Sequence, residues 1–325
     1  MLKVSVIVPV YNTEKYLEKC LDALVHQTLD DIEIVIVNDG STDTSVKIIE
    51  RFKRDYPEKI KFISKENGGQ ATARNVGIKA ASGKYIGFAD SDDCVDRSMF
   101  EKMYELAEKK SCDMVECNFH FVQETKNGLH ELKARGNVRN YKNRKDMFID
   151  PQVSPWNKLY RRDVLLESGI LFPEGLIYED TAFYIKTISF IERSAYLDEK
   201  LVYYYLRGNS TMNANKSRKV ADIFSVLQDI LDFYNNKGLF QEYYDELEYF
   251  YVKILLCSSL SRIGRVRDKK LKNAMLDETF ALIQEKFPQY KSNKYFSGRI
   301  GKYIRTVNRS NSGLISTVLG KIMKG

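Results

Sequence analysis

A chain of 325 residues is longer than one hydrophobic core usually supports, so a large domain with a smaller appendage is expected. With 43% hydrophobic and 29% charged residues and no low-complexity tract the composition excludes a disordered chain, and no run of 18 apolar residues offers a membrane-spanning helix. Five cysteines without C-x-x-C spacing and three histidines argue against a disulfide framework and a zinc site, and the net charge of +7 belongs to the tail, because nine basic and no acidic residues lie from Lys286 onward.

The N-terminus opens on a strand, not on the basic segment and long apolar run of a leader, so a cytoplasmic chain is expected. Through residue 121, apolar β-rich runs alternate with helix-period segments. Strands are predicted at 4–8, 33–38, 60–64, 85–89 and 113–121, and helices at 14–27, 42–55, 70–81 and 97–110. In the first helix Tyr16, Leu17, Cys20, Leu21, Leu24 and Val25 recur three and four apart. Ser41 or Thr42 can cap the second, and the glycines of Asn67-Gly68-Gly69 allow a sharp turn before the third. The pattern is α/β, a parallel sheet flanked by helices. The polar, basic stretch 127–143 reads as a surface loop or a short antiparallel ribbon. Mixed structure resumes at Pro155, with helices at 163–168 and 181–193 and a strand at 201–206. Beyond Lys216 the pattern is helical, with helices at 219–235, 240–262 and 269–287.

In an open parallel sheet, ligands bind at the carboxyl ends of the strands. The loop after the first strand, Pro9-Val10-Tyr11-Asn12, has no glycine, which excludes a dinucleotide-binding G-x-G-x-x-G turn and the phosphate loop of a nucleotidyltransferase. Pro9 stiffens it, and Tyr11 is either a half-buried turn residue or a face on which a nucleobase stacks. Asp39, after the second strand, is either a turn residue or helix cap, or an acceptor for the imide N–H of a pyrimidine ring. The fourth strand runs into Asp90-Ser91-Asp92-Asp93. Three carboxylates within four residues repel one another unless a cation or donors compensate, and hard oxygen ligands suit Mn²⁺ or Mg²⁺. Asp92 is assigned to the metal and Asp90 to a ribose or the metal; a helix-capping role fits Asp96 better than the D-S-D pair. Arg74, in the third helix, either lies on an exposed face or reaches phosphates. Glu179 and Asp180 open a helix, where acids are favoured by the dipole alone. A transferase acting on a hydroxyl also needs a carboxylate to take its proton, and Asp180 is the candidate.

Together these residues resemble an inverting family 2 glycosyltransferase of the GT-A fold, of the type that builds capsular and exopolysaccharides. The resemblance rests on S-V-I-V-P-V-Y-N, V-N-D-G-S-T-D, E-N-G-G-Q-A-T-A-R-N-V-G-I, F-A-D-S-D-D and Y-E-D-T-A-F, in that order, and spans residues 4–207. It implies a Rossmann-like mixed sheet flanked by helices over residues 1–215, with a nucleotide-binding half at 1–121 and an acceptor half at 122–215. Residues 216–325 then form an all-helical extension ending in a basic amphipathic tail. It further implies that Pro9, Tyr11, Asp39, Arg74, Asp90 and Ser91 hold a UDP-sugar donor, that Asp92 and Asp90 bind Mn²⁺ or Mg²⁺, and that Asp180 is the base. The segments W-N-K-L-Y and F-P-E-G imply an acceptor region near Trp156 and Lys158, and Glu179 and Arg207 are further candidates beside the acceptor or the diphosphate. A non-catalytic nucleotide-sugar-binding scaffold is the alternative. In the tail, Phe296, Ile300, Tyr303, Ile304 and Val307 form one apolar stripe, and Leu314, Ile315, Val318, Leu319, Ile322 and Met323 a second, amid basic residues. These stripes suit either an anionic membrane surface, at its inner face beside a lipid-linked saccharide acceptor, or packing on the body or on a second subunit of a homo-oligomer. Nucleic-acid binding fits poorly, since no recognition module accompanies the basic run.

Overall fold

β1 (Val4–Val10) and β2 (Ile32–Asp39) are buried at every position, as near-continuous Val and Ile runs require of strands covered on both faces. They pair in parallel; β3 (Ile60–Lys65) joins the outer side of β2 and β4 (Tyr85–Phe88) the other side of β1. Pro9 sits in β1 beyond Ile7, the last residue paired with β4, so its missing N–H breaks no ladder bond on that side. The crossovers are α1 (Glu14–Val25), α2 (Ser45–Asp55) and α3 (Gln70–Ala80). α1 buries Leu17, Cys20, Leu21, Leu24 and Val25, the stripe its spacing predicts. α2 starts later than expected because Asp43, not Ser41 or Thr42, accepts the Ser45 backbone N–H at 3.0 Å. α3 lies close on the sheet at Gly77, where a Cβ would stand 2.3 Å from Ile7 Cγ2.

The computed structural model describes residues 2–125, 128–132, 141–206 and 218–322. Past β4 the chain forms β5 (Cys94–Val95), α4 (Met99–Lys110), β6 (Met114–Thr125), β7 (Gly128–Leu132), β8 (Lys158–Arg161), α5 (Arg162–Ser168), α6 (Glu179–Thr187) and β9 (Ser194–Tyr205). Among the described residues the strands make one sheet in the order β3-β2-β1-β4-β8-β6-β9-β5, with β7 beside β6. The sheet is mixed, not parallel throughout. β8 runs antiparallel to both neighbours, β4 and β6, and β6 is parallel to β9. The helix predicted at 181–193 starts two residues earlier and stops at Thr187 in a 3-10 turn, because the twelve-residue β9 occupies the place beside β6. Within 127–143, β7 forms the antiparallel ribbon with β6, and residues 133–140 lie outside the described part.

Two compact units emerge. The first comprises Met1–Arg144, Val153–Gly175 and Glu179–Arg207; the second comprises Lys145–Gln152, Leu176–Tyr178 and Gly208–Gly325. The second unit is helical: α7 (Asp222–Asn236), α8 (Tyr244–Lys253), α9 (Leu260–Ile263), α10 (Lys269–Lys286), α11 (Gly298–Thr306) and α12 (Arg309–Ile322). A π-helical segment, Ile254–Ser259, links α8 to α9, so the helix predicted at 240–262 starts at Tyr244 and carries a wider turn. Its core is aromatic, with Phe148 against Tyr234 and Tyr243 at ring separations of 6.1 and 5.5 Å. Among the described residues no helix is long and apolar enough to cross a membrane.

Candidate active site

The loops after β1, β2 and β4 are stitched together by short polar side chains. Asn12, left-handed at φ 52°, donates its N–H to Ser41 Oγ at 3.1 Å and accepts the Thr42 N–H at 2.8 Å. Thr13 donates its hydroxyl to Ser91 Oγ at 3.1 Å. Tyr11 stands half exposed at the rim, whereas Pro9 and Ser91 are buried.

Asp39 ends β2 and is buried. Its Oδ1 accepts Lys65 Nζ at 2.6 Å and the Gly68 N–H at 3.0 Å, and its Oδ2 accepts the Gly69 N–H at 2.7 Å. Asn67 adds a bond from its side-chain amide to the Asp39 carbonyl at 2.9 Å. The carboxylate therefore organises the glycine turn ahead of α3, the turn role weighed against base recognition. Lys65 is its register partner across β2 and β3, a pairing visible only once strand ends align.

Arg74 is not on an exposed helix face: it is 2% exposed. One guanidinium nitrogen donates to Asp90 Oδ1 at 2.8 Å and the other to Glu179 Oε1 at 3.0 Å, and the group lies 5.2 Å from the Phe172 ring centre. Burial disfavours its charge, but the two carboxylates more than offset this and raise its pKa further. Gln70 adds a donor to Asp90 Oδ1 at 3.2 Å. Burial pushes the Asp90 carboxyl up, against the pull of Arg74 and with the push of Asp92. Glu179 is raised likewise, by burial and by Asp180 against Arg74. Asp180 anchors Oδ1 on the Thr181 N–H at 2.7 Å and on the Thr181 hydroxyl at 3.3 Å, while its Oδ2 has no protein partner among the described residues. One oxygen is thus fixed by the helix start and the other is not.

Asp90, Asp92 and Asp93 each present a carboxylate oxygen, all within 4.8 Å of one another. This all-oxygen donor set fits a hard divalent cation. Asp93, the member given no individual role from the sequence, accepts the Tyr205 backbone N–H at 3.0 Å and so ties the cluster to β9. Asp96 accepts the Ser98 N–H at 2.9 Å just ahead of α4 and serves the helix start.

Trp156 and Lys158 are not at an open surface. Trp156 stacks on Tyr204 at 5.4 Å and meets Phe119 edge-on at 4.9 Å in the core. Lys158 is fully buried; its Nζ donates to the Ser154 carbonyl and to Asn157 Oδ1, both at 2.8 Å, lies 3.8 Å from Glu116 Oε2, and sits over the Tyr184 ring. Arg207 lies outside the described residues.

Residues 5–169 match the family described as glycosyl transferase family 2. The uncharacterized glycosyltransferase EpsJ of Bacillus subtilis (strain 168) is 35% identical over 253 residues, covering 73% of this chain and 71% of that one. The poly(ribitol-phosphate) beta-glucosyltransferase of Bacillus spizizenii is 32% identical over 182 residues, 53% of this chain and 27% of its own. In fold, the chain is similar to S. aureus TarS 1–349, with a TM-score of 0.73 and 21% identity over 98% of this chain and 90% of that one. The same TarS fragment is also solved with UDP-GlcNAc, at a TM-score of 0.72 and the same coverage.

Proposed function

Since the chain belongs to glycosyl transferase family 2, we propose that it moves a sugar from a UDP-sugar to a hydroxyl of a saccharide acceptor in cell-surface polysaccharide synthesis, inverting the anomeric centre. The observation that carries this reading is the Arg74 bridge. It draws the carboxylates that follow β4 and the acids that open α6, 89 positions apart in the case of Asp90 and Glu179, to the two ends of one guanidinium. A donor-side acid cluster and an acceptor-side base thereby share one edge of the sheet.

Tyr11 offers a flat, exposed surface to the uracil ring, and Asp39 with its glycine turn shapes the base pocket. Asp92 and Asp90 would hold Mn²⁺ or Mg²⁺, which when bound offsets charge on the departing diphosphate. Asp180 Oδ2 takes the proton of the acceptor hydroxyl as its oxygen bonds to the anomeric carbon. The bond from that carbon to the diphosphate breaks on the opposite face and its electron pair leaves with UDP, so an α-linked donor yields a β-glycoside. Trp156 and Lys158 support the acceptor half from within its core. The names of the poly(ribitol-phosphate) beta-glucosyltransferase relative and of the TarS complex with UDP-GlcNAc support a UDP-linked donor and a polymer acceptor. We take the acceptor to be lipid-linked, at the inner face of the membrane.

Asp180→Asn should lower transfer about a thousandfold, the scale of a lost general base, with UDP affinity unchanged. Product release from UDP-sugar donors and the anomeric configuration by NMR are the readouts. A fully active Asp180→Asn enzyme, or an α-glycoside from an α-donor, contradicts the assignment.

A further inference from the structure

α12 is packed inside out. In a helix of a soluble protein the large apolar side chains face the core and the small polar ones face water. Here Ser312, Ser316 and Gly320, four apart, are buried, and a Cβ on Gly264, just after α9, would fall 1.8 Å from the Ser316 carbonyl oxygen, so the two backbones touch. Leu314, Val318 and Ile322, also four apart, face outward at 73%, 45% and 72% exposure. The same unit buries the earlier stripe, with Phe296, Ile304 and Val307 inside, so the two stripes that look alike in sequence have different fates.

The charge around the outward stripe selects its occupant. Lys321 lies one turn from Val318, is exposed, and has no ion-pair partner among the described residues. α12 itself carries no acidic residue, so the outward face of this helix, with Lys321 beside the stripe, is positive and apolar at once. Two copies set face to face would bring like charges together, whereas a bilayer rich in anionic headgroups accepts both features.

We propose that Leu314, Val318 and Ile322, flanked by Lys321, form a docking face that inserts shallowly into an anionic lipid surface. The inference deepens the membrane-proximal acceptor reading above and rests on it only for its purpose. The test is co-sedimentation of the full chain with phosphatidylglycerol–phosphatidylcholine vesicles and with phosphatidylcholine vesicles, without donor or acceptor. Binding is expected on the anionic vesicles, weakened about tenfold or more by the triple change Leu314→Ser, Val318→Ser and Ile322→Ser, and roughly fivefold by Lys321→Gln. These solvent-facing changes should leave the melting temperature intact. Equal binding by the triple variant, or no binding to anionic vesicles, overturns the proposal. So does a wild-type dimer in light scattering that the triple variant dissolves while vesicles go unbound, an outcome that assigns the face to a second copy. Transfer to a soluble acceptor, measured without vesicles, is the separate readout of the enzymatic reading.

Discussion

A lysine at position 74 would keep the charge and lose the site. The guanidinium reaches Asp90 and Glu179 with two nitrogens in one plane, which a single ammonium point charge does not reproduce. Arg74→Met would leave two partly buried carboxylates without their shared cation, and about 3 kcal/mol of stability should go with it. Thermal unfolding checks this; a melting temperature within a degree of wild type would show that Asp90 and Glu179 are solvated and not held by Arg74. Asp39 teaches a related lesson. From its local sequence it reads as a turn residue or cap ahead of a base reader, and how the turn is built stays hidden, because the glycines and Lys65 that fill its oxygens lie 26 to 30 positions away and only the register of β2 and β3 brings them near.

At the level of elements, the parallel half was legible and the rest only in part: β6 and the end of β9 were expected as strands, β8 was not. β1 through β4 announce themselves as apolar, β-rich runs with helix-period segments between them. β8 is four residues long and includes Lys158, whose burial depends on Glu116 and Asn157, so its sequence carries no strand signal. β9 mixes two acids and a lysine with tyrosines, and its place is fixed by β6 and not by its own pattern. Within β2, Glu33 ties its strand to β1 and to the turn ahead of β4: it accepts Ser5 Oγ at 2.5 Å and the Ser82 hydroxyl and N–H, both at 2.6 Å. Burial alone would raise its pKa, but these bonds outweigh it and hold it below the usual glutamate range. A depressed carboxylate pKa adds stability that is complete above the unfolded value and is lost as pH falls through the folded one. Glu33→Gln should therefore lower the melting temperature at pH 7 and flatten its decline between pH 5 and 3, intervals on the order of the carboxylate range. An acid limb as steep as that of wild type would place the acid sensitivity elsewhere.

On the scale of the whole molecule, motif order revealed more than composition. Five motifs at the ends of strands and at one helix start pointed to a single site, and the sheet gathers four of them at the carboxyl ends of β1, β2 and β4 and around the turn before α3. Composition gave the basic, helical C-terminal part but not which apolar stripe lies inside, since both have helical spacing and only packing against α9 separates them. Membership of glycosyl transferase family 2 makes the nucleotide pocket the claim on which the rest depends. Calorimetric titration of UDP into the chain, with and without Mn²⁺, against Asp92→Ala tests it most directly. Binding that strengthens with Mn²⁺ in the wild type and loses that dependence in Asp92→Ala is the expected result; no binding of UDP under any condition would contradict the account.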